Sequence, residues 1–501
     1  DGSELAEKMP ALMRLKSAIY SPEYRAFVER ITGLDPGTLT DEVDCAANCH
    51  AKGCHLLCHD DVIGTRKVSY IIYLTDPAPT WTDEDGGRLE LYEAVAEHDG
   101  DKSRCVPGTL PAKTVLPVFN SMAYFEVQPG VSFHSVQEVL CDRPRLSIQG
   151  WYHAKELPSR IEDATLHRLK SMDRGEDTEC GFALLTTPEN NIPEVTPKSN
   201  DSSESELTSL SQDDLSFLGK YINAAYLADE SMAEMRTRFE EESSVKLRHF
   251  LLEEWNAKIC GAFMTEDERD KLGNDMSNLD YHIGTNDRWK AVGPAHKQRF
   301  LQYEPKDDGS ATPIANGANP GAGEHLHHVR RTLFRSAAFG RWLGRVSCLG
   351  VPLGQRGRVR RFRPGHDYTV AHYGILTTSA VLDATLCFCA GAGQQCAFDE
   401  ATDELLGSDE DAIWESGDVG GFECYIAADE SDEEQGPDAE YDDEDDTRLL
   451  SVSASNNTLS LVYRDPGTMR FVKYVSAAAP SSRWDIAFEY DVPSDDTDDD
   501  D

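Results

Sequence analysis

The sequence predicts a mainly β protein with flanking helices, built as two jelly-roll domains in tandem. Three observations carry this expectation. Residues 54–152 break into short runs rich in β-branched and aromatic residues, separated by turns of Gly, Pro and Asp. A second strand-rich region runs from about 358 to 490. The two regions also share an ordered set of markers. The first has His59-Asp60-Asp61, Gly86-Gly87-Arg-Leu-Glu-Leu-Tyr92, Asn120 and His134-Ser-Val136. The second has His372-Tyr-Gly374, Gly420-Gly421-Phe-Glu-Cys-Tyr425, Asn457 and Lys473-Tyr-Val475.

Taken in chain order, Ser21-Pro22 starts a helix, with Ser as cap and Pro in the first turn. Tyr24, Phe27, Val28 and Ile31 then share one face. Strands are expected at 68–74, 88–92, 114–119, 123–127 and 145–151. Residues 173–212, rich in Ser, Thr, Pro, Asn and acids, read as a linker. Three apolar stripes at helical spacing follow: Leu215, Leu218 and Ile222; Met232, Met235 and Phe239; Leu247, Phe250, Leu251 and Trp255. The stretch 374–393 is nearly long enough to cross a bilayer. Its Asp383, Thr and Ser content and β-branched pattern read as strands instead.

Charge is the other organising feature. The 501 residues contain 48 Lys+Arg and 90 Asp+Glu, a formal net charge of −42. Such a chain disfavours binding of nucleic acid or anionic membrane over its whole surface and favours a basic partner. The excess is local. Segment 429–446 holds 12 acids, 399–418 holds 9 and 493–501 holds 6, none with a base. These runs are expected to be solvated, disordered insertions and a tail. Thirteen Cys is an odd, modest number that suits reduced thiols, and hence a cytoplasmic or nuclear protein, better than a disulfide scaffold.

The chemistry concentrates in the first region. On a strand, His59 and Asp61 would face the same way, and His134 from a distant strand would complete two imidazoles and one carboxylate. That set occupies one face of an octahedral metal and leaves three positions open, as in non-haem Fe(II) oxygenases. Arg145, on an alternating strand, should line the same barrel, where its planar fork suits a carboxylate. Tyr73 is placed to donate a hydroxyl to that carboxylate. Taken singly, His-x-Asp reads equally well as a solvated turn, Arg145 as a rim ion pair and Tyr73 as a core aromatic. Taken together they read better as one site.

These residues also carry a family likeness. Cys58-His59-Asp60-Asp61, Ser69-Tyr-Ile-Ile-Tyr73-Leu, Gly86-Gly87-x-Leu-x-Leu-Tyr92, Phe125-Glu-Val, Val131-Ser-Phe-His134 and Arg145-Leu-Ser-Ile-x-Gly-Trp151 resemble the ribosomal prolyl hydroxylases. In the second region Arg361-Phe-Arg-Pro-Gly-His-Asp-Tyr368, Leu461-Val-Tyr-Arg-Asp465, Phe471-Val-Lys473 and Trp484-Asp485 do the same. These enzymes depend on Fe(II) and 2-oxoglutarate and have two double-stranded β-helix domains. The resemblance implies Fe(II) on His59, Asp61 and His134, and 2-oxoglutarate on Arg145 and Tyr73. It implies O2 as cosubstrate, L-ascorbate as supporting reductant, and a proline of a basic small-subunit ribosomal protein as substrate. It further implies a catalytic domain at 1–158, a linker at 159–212, a non-catalytic domain at 213–492 and an acidic tail at 493–501. Family members carry residues ahead of the position matching Asp1, so an N-terminal part of the catalytic domain is expected to be missing.

Within the repeat, Gly374 stands where Asp61 does and Lys473 where His134 does, so the second copy is expected to be degenerate. Cys45, Cys49, Cys54 and Cys58 hint at zinc, but the short gap between Cys49 and Cys54 favours ordinary thiols. Ten arginines between Arg330 and Arg363, with no acid among them, suit contact with a ribosome or an mRNA complex. They suit slightly better an ordinary distribution over a helix and loop, or pairing with the chain's own acidic insertions. His325, His327 and His328 read as surface histidines. Two other readings stand beside the hydroxylase: a non-catalytic scaffold in a translation complex, and an oxygenase acting on nucleic acid. The latter needs a basic approach surface, which residues 1–158 do not provide.

Overall fold

Two helices open the described chain, α1 (Pro10–Ile19) and α2 (Pro22–Thr32). Ser21 caps α2 as expected, its hydroxyl accepting from Tyr24 N–H at 3.2 Å, and left-handed Gly33 ends it. The computed structural model describes residues 8–98, 101–175, 181–187, 209–273, 280–305, 320–389, 409–428 and 448–493.

Eleven strands follow: β1 (Leu39–Val43), β2 (Ala46–His50), β3 (Leu56–His59), β4 (Arg66–Tyr73), β5 (Leu89–Leu91), β6 (Ala94–His98), β7 (Asp101–Pro107), β8 (Lys113–Val115), β9 (Met122–Glu126), β10 (His134–Val136) and β11 (Arg145–Ala154). One antiparallel sheet runs β1-β11-β4-β9 with β2 added beside β11, and another runs β3-β10-β5-β8. Strand β4 shows why they stack as a jelly roll. Val68, Tyr70 and Ile72 face Ile19 and Val28 of the two helices, while Ile71 and Tyr73 face Leu89 of the other sheet. The alternation of side chains along one strand thus serves two cores.

The chain then passes through α3 (Thr165–Ser171), α4 (Gln212–Leu218), α5 (Asp229–Glu242), β12 (Ser244–Leu247) and α6 (Glu253–Asp270). After β13 (Trp289–Val292) and β14 (Gln298–Tyr303) come α7 (Ala322–Val329) and α8 (Ala337–Ser347). The second set of strands continues with β15 (Gly354–Phe362), β16 (Tyr368–Thr369), β17 (Val381–Phe388), β18 (Glu423–Ala427), β19 (Arg448–Val452), β20 (Thr458–Arg464), β21 (Thr468–Val472) and β22 (Arg483–Asp491), with α9 (Asp409–Ser416) ahead of β18. They form the sheet β12-β20-β17-β22-β15-β14-β13, with β16 on β14, and the smaller sheet β19-β18-β21. The helices bury Phe263, Phe339 and Trp342 against Trp484 and Phe488 of the large sheet. The whole of β17 is buried, as a strand covered on both faces must be. No helix among the described residues is long and apolar enough to cross a membrane.

Several expectations need correction. The third apolar stripe is not one helix. Leu247 belongs to β12 and pairs with Leu459 of β20, and only Trp255 lies in α6; here strand pairing buries what helical spacing predicted. Residues 159–212 are not simply a linker. They include α3, while Ala183 and Thr186 bridge to Gln355 and Ser336 of the second domain. The run 399–418 is not wholly disordered, because α9 is anchored by Trp414, which is fully buried. Glu415 of α9 pairs with Arg248 at 2.5 Å. The runs 399–408, 429–446 and 494–501 lie outside the described residues.

The histidines of α7 are packed rather than on the surface: His328 stacks on Trp255 at 5.3 Å and His325 is buried. Burial, with Arg330 and Arg331 beside it, pulls the His327 pKa down to about 4. Six of the ten arginines of the island make ion pairs with acids of the folded body. Arg341 binds Asp214 at 2.6 Å, Arg345 binds Asp229 at 2.8 Å, and Arg361 binds Asp267 and Asp270 at 2.6 Å each. Arg363 binds Asp367 at 2.8 Å.

The two barrels meet through buried polar groups beside β10. Glu138 accepts from Ser476 Oγ at 2.6 Å, Ala477 N–H at 2.7 Å and Tyr474 O–H at 3.3 Å. Glu90 of β5 accepts from Ser135 Oγ at 2.6 Å and from Tyr281 O–H. Arg299 of β14 donates to Tyr92 Oη at 3.1 Å and to the His366 carbonyl at 2.8 Å, and stacks over Tyr281. A buried carboxylate needs such a cation nearby, so Arg299→Ala should cost about 3–5 kcal/mol. Arg345→Ala, at the half-exposed Asp229 pair, should cost less than about 1 kcal/mol. Urea unfolding midpoints of the two variants check the contrast.

Candidate active site

His134, the first residue of β10, pairs directly with His59, the last residue of β3. Their rings lie 4.3 Å apart between centroids. Each Nδ1 is held by a backbone carbonyl two residues earlier, Leu57 for His59 at 2.7 Å and Ser132 for His134 at 2.8 Å. Both Nε2 atoms therefore face one carboxylate. His59 Nε2 lies 3.3 Å from Asp61 Oδ1 and His134 Nε2 lies 3.4 Å from Asp61 Oδ2. Trp151 of β11 steadies that carboxylate with an Nε1–H bond of 3.0 Å.

The way Asp61 gets there differs from the strand argument. β3 ends at His59, and Asp61 has φ +62. A left-handed turn, which Asp tolerates better than most residues, swings the carboxylate back over the imidazoles. Asp60 is buried on the other side, where its carboxylate accepts from Thr165 N–H at 2.9 Å at the start of α3. Burial pushes the Asp61 carboxyl up. Hydrogen bonds and charge from His134 and His59 outweigh it and hold the pKa well below the usual carboxylate range. Burial lowers the His59 pKa, but its bond to Asp61 wins and raises it.

Arg145 and Tyr73 are each 1% exposed. Arg145 Nε donates to the Gly87 carbonyl at 2.7 Å, and its guanidinium lies 5.2 Å from the Tyr73 ring centre. Tyr73 Oη and Arg145 Nη2 have no hydrogen-bond partner, and neither do Ser147 Oγ, Asn48 Nδ2 and His50 Nδ1 on the neighbouring rungs of β11 and β2. Buried donors left so are costly unless something fills the space. A ligand carboxylate fits them. Burial raises the Tyr73 pKa against the opposing charge of Arg145, which keeps the phenol protonated as a donor. Sequence reading missed Asn48, His50 and Ser147; the only signal was that Ser147 follows Arg145 by two on an alternating strand.

Among the described residues, His59, Asp61 and His134 form the only group of three or more metal-type donors, all within 4.8 Å. Adjacent donors on an octahedral ion with bonds of about 2.1 Å sit about 3 Å apart, so the spacing suits such an ion. The cysteines do not gather: Cys58 packs among Tyr92, Phe133 and Ala295, while Cys49 and Cys54 are exposed.

The second barrel repeats the frame with other side chains. Gly86 and Gly87 both have φ +68, and Gly420 and Gly421 have +71 and +72. Asn120 and Asn457 are both left-handed. Pairing corrects one match, however. His134 lies opposite Leu91, five residues beyond Gly86, and the residue opposite Tyr425, five beyond Gly420, is Arg470 rather than Lys473. Arg483 takes the place of Arg145, packed 3.5 Å from the Cβ position of Gly421 as Arg145 is 2.8 Å from that of Gly87. It is occupied by Glu423 at 3.2 Å and by Asp485.

In the first barrel, two imidazoles and a carboxylate would cover one face of an ion and leave the opposite face open. The donors around Arg145 would receive the far end of a dicarboxylate. That division defines the 2-oxoglutarate- and iron(II)-dependent oxygenases, and comparison with known proteins places the chain in this class. The 2OG-Fe(II) oxygenase superfamily matches residues 45–153. The oxoglutarate and iron-dependent oxygenase degradation C-terminal family matches 213–499. A protein of Ostreococcus tauri named prolyl 3,4-dihydroxylase OGFOD1 is 40% identical over 486 residues, covering 96% of this chain and 84% of its own. Prolyl 3-hydroxylase OGFOD1 of Mus musculus is 26% identical over 530 residues, 96% of this chain and 80% of its own. Prolyl 3-hydroxylase sudestada1 of Drosophila melanogaster is 27% identical, covering 94% and 72%. The chain belongs to the OGFOD1-type family of 2-oxoglutarate-dependent dioxygenases, with Fe(II), 2-oxoglutarate and O2 as its cofactor and cosubstrates.

The Arg145 seat depends on a missing side chain. A Cβ on Gly87 would meet Arg145 Cδ at 2.8 Å, at a φ that Ala resists. Gly87→Ala should cost more than about 1 kcal/mol of stability. By shifting a charged donor it should also weaken 2-oxoglutarate binding by about tenfold or more. Thermal melts and anaerobic titration with 2-oxoglutarate and Mn(II) would read both.

Proposed function

We propose that this chain hydroxylates a prolyl residue of a basic small-subunit ribosomal protein. The carrying observation is the convergence of His59 Nε2, His134 Nε2 and the Asp61 carboxylate in the same barrel as the unpartnered donors of Tyr73 and Arg145. In this reading His59, Asp61 and His134 hold Fe(II), and Arg145 and Tyr73 bind the distal carboxylate of 2-oxoglutarate. Iron so held supplies the oxidation of 2-oxoglutarate to succinate and carbon dioxide by O2, coupled to hydroxylation of a C–H bond. The protein's own part is positional. The carbonyls of Leu57 and Ser132 fix both imidazole tautomers, Trp151 fixes Asp61, and burial keeps water away.

The names of the relatives support proline as the target. A net charge of −42 supports a basic substrate, since opposite charge speeds encounter. Ascorbate as supporting reductant, and residence in cytoplasm and nucleus, belong to the same proposal. Internal pairing of the arginine island weighs against its serving as an mRNA-binding surface.

The test is turnover of small-subunit ribosomal-protein peptides with Fe(II), 2-oxoglutarate and ascorbate, read by mass. The expected product gains one or two oxygen atoms on proline. Asp61→Ala should abolish this gain and the binding of Mn(II), and lower the melting temperature, because His59, His134 and Trp151 lose their shared partner. Succinate release with no peptide oxidised across the whole small-subunit set would overturn the substrate. Undiminished turnover in Asp61→Ala would overturn the site.

A further inference from the structure

One buried carboxylate stands beside the metal-type donors without joining them. Asp60 lies between His59 and Asp61, is 3% exposed and is not among the gathered three. Backbone N–H groups hold it in place of a cation. Its carboxylate accepts from Val62 N–H at 3.4 Å, Gly130 N–H at 3.5 Å and Thr165 N–H at 2.9 Å. These donors come from three segments: the turn that carries Asp61, the loop that leads into β10, and the first residue of α3. The Asp60 carbonyl accepts from Ser132 Oγ at 2.8 Å, and the Ser132 carbonyl in turn engages His134 Nδ1 at 2.8 Å.

Helix α3 is itself anchored at two places. Arg168 binds Glu97 of β6 at 2.5 Å and the Cys105 carbonyl of β7 at 2.9 Å. Met172, its C-cap, packs on Gly374 of the second domain, where a Cβ would lie 2.6 Å from Met172 Cε. A buried carboxylate is costly, and backbone bonds recover only part of that cost. An apolar side chain would fill the same space, but it would leave α3, the Asp61 turn and the loop before His134 unconnected.

We propose that Asp60 is a positioning residue for the metal centre. It ties α3 to the two segments that carry Asp61 and His134, and so sets how closely the carboxylate and the imidazoles converge. It acts through the backbone of its neighbours and touches no metal. The inference rests on the reading that His59, Asp61 and His134 hold Fe(II). Groups that orient metal ligands in this way weaken metal affinity by about 10–100-fold when removed.

The experiment is anaerobic Mn(II) titration of the full chain with saturating 2-oxoglutarate, read by the electron paramagnetic resonance of free Mn(II). Asp60→Ala should weaken binding by about tenfold or more. Asp60→Asn keeps an oxygen for Thr165 and Gly130 and should recover most of the affinity. Thr165→Pro deletes the α3 donor and leaves Asp60 intact. Proline suits the first residue of a helix, and Ala164 before it already has φ −59 and ψ 140. This variant should weaken Mn(II) by about threefold or more while the helical circular dichroism holds. Glu29→Ala controls for stability: Glu29 of α2 is also buried and accepts from Gly37 and Leu39 N–H at 3.0 and 2.9 Å. It should lower the melting temperature and leave Mn(II) affinity unchanged.

Undiminished affinity in folded Asp60→Ala would overturn the proposal. So would Asp60→Asn as weak as Asp60→Ala, which would assign the effect to charge, or equal weakening in Glu29→Ala, which would assign it to stability. Should Asp60→Ala fail to fold, Thr165→Pro against Glu29→Ala decides. Wild-type protein that binds no Mn(II), or Asp61→Ala that binds it undiminished, would overturn the metal reading and this proposal with it. Binding lost in Asp61→Ala but untouched in the Asp60 and Thr165 variants would overturn this proposal alone.

Discussion

One antiparallel rung, His134 against His59, sets the rest of this structure. Two strands from distant parts of the sequence meet there and place two imidazoles side by side, tilted to one another. Each ring engages a backbone carbonyl through Nδ1, so each Nε2 is the atom that faces the shared Asp61 carboxylate. Asp61 can join only because its backbone turns left-handed immediately after the strand.

The rung sits at the end of a strand only three residues long. A strand so short has little pairing of its own to resist fraying. Its register is held from one side by β5 and from the other by β3, and the residues just beyond it are gripped by the second barrel through Glu138. Glu90, opposite Ser135, is gripped in the same way by Tyr281. The second barrel thus braces the strand that carries His134.

Much of this was legible in the sequence, and the failures have physical causes. The jelly rolls could be read because short runs such as β4, apolar where they are buried on both faces, are separated by turns of Gly, Pro and Asp. His59, Asp61 and His134 could be singled out by residue type, yet the strand-period argument for Asp61 was wrong in detail because periodicity ignores a left-handed residue. Arg470 was missed for Lys473 because letters were matched, whereas backbone pairing sets equivalence. The α7 histidines and the arginine island looked like surface because their partners, Trp255, Asp214 and Asp267, lie far away in sequence. Orphan donors such as Asn48 and His50 carry no sequence signature; only the structure shows polar atoms that nothing nearby satisfies.

The shared polar seam between the barrels also bears on how such a protein can change over time. A second domain that only packs beside another is ordinarily free to erode or be deleted. Here deletion would bare two carboxylates and an aromatic cluster that water would then invade, next to His134. The second barrel is a buttress for β10, so a constraint on His134 in one half also polices the packing of the other.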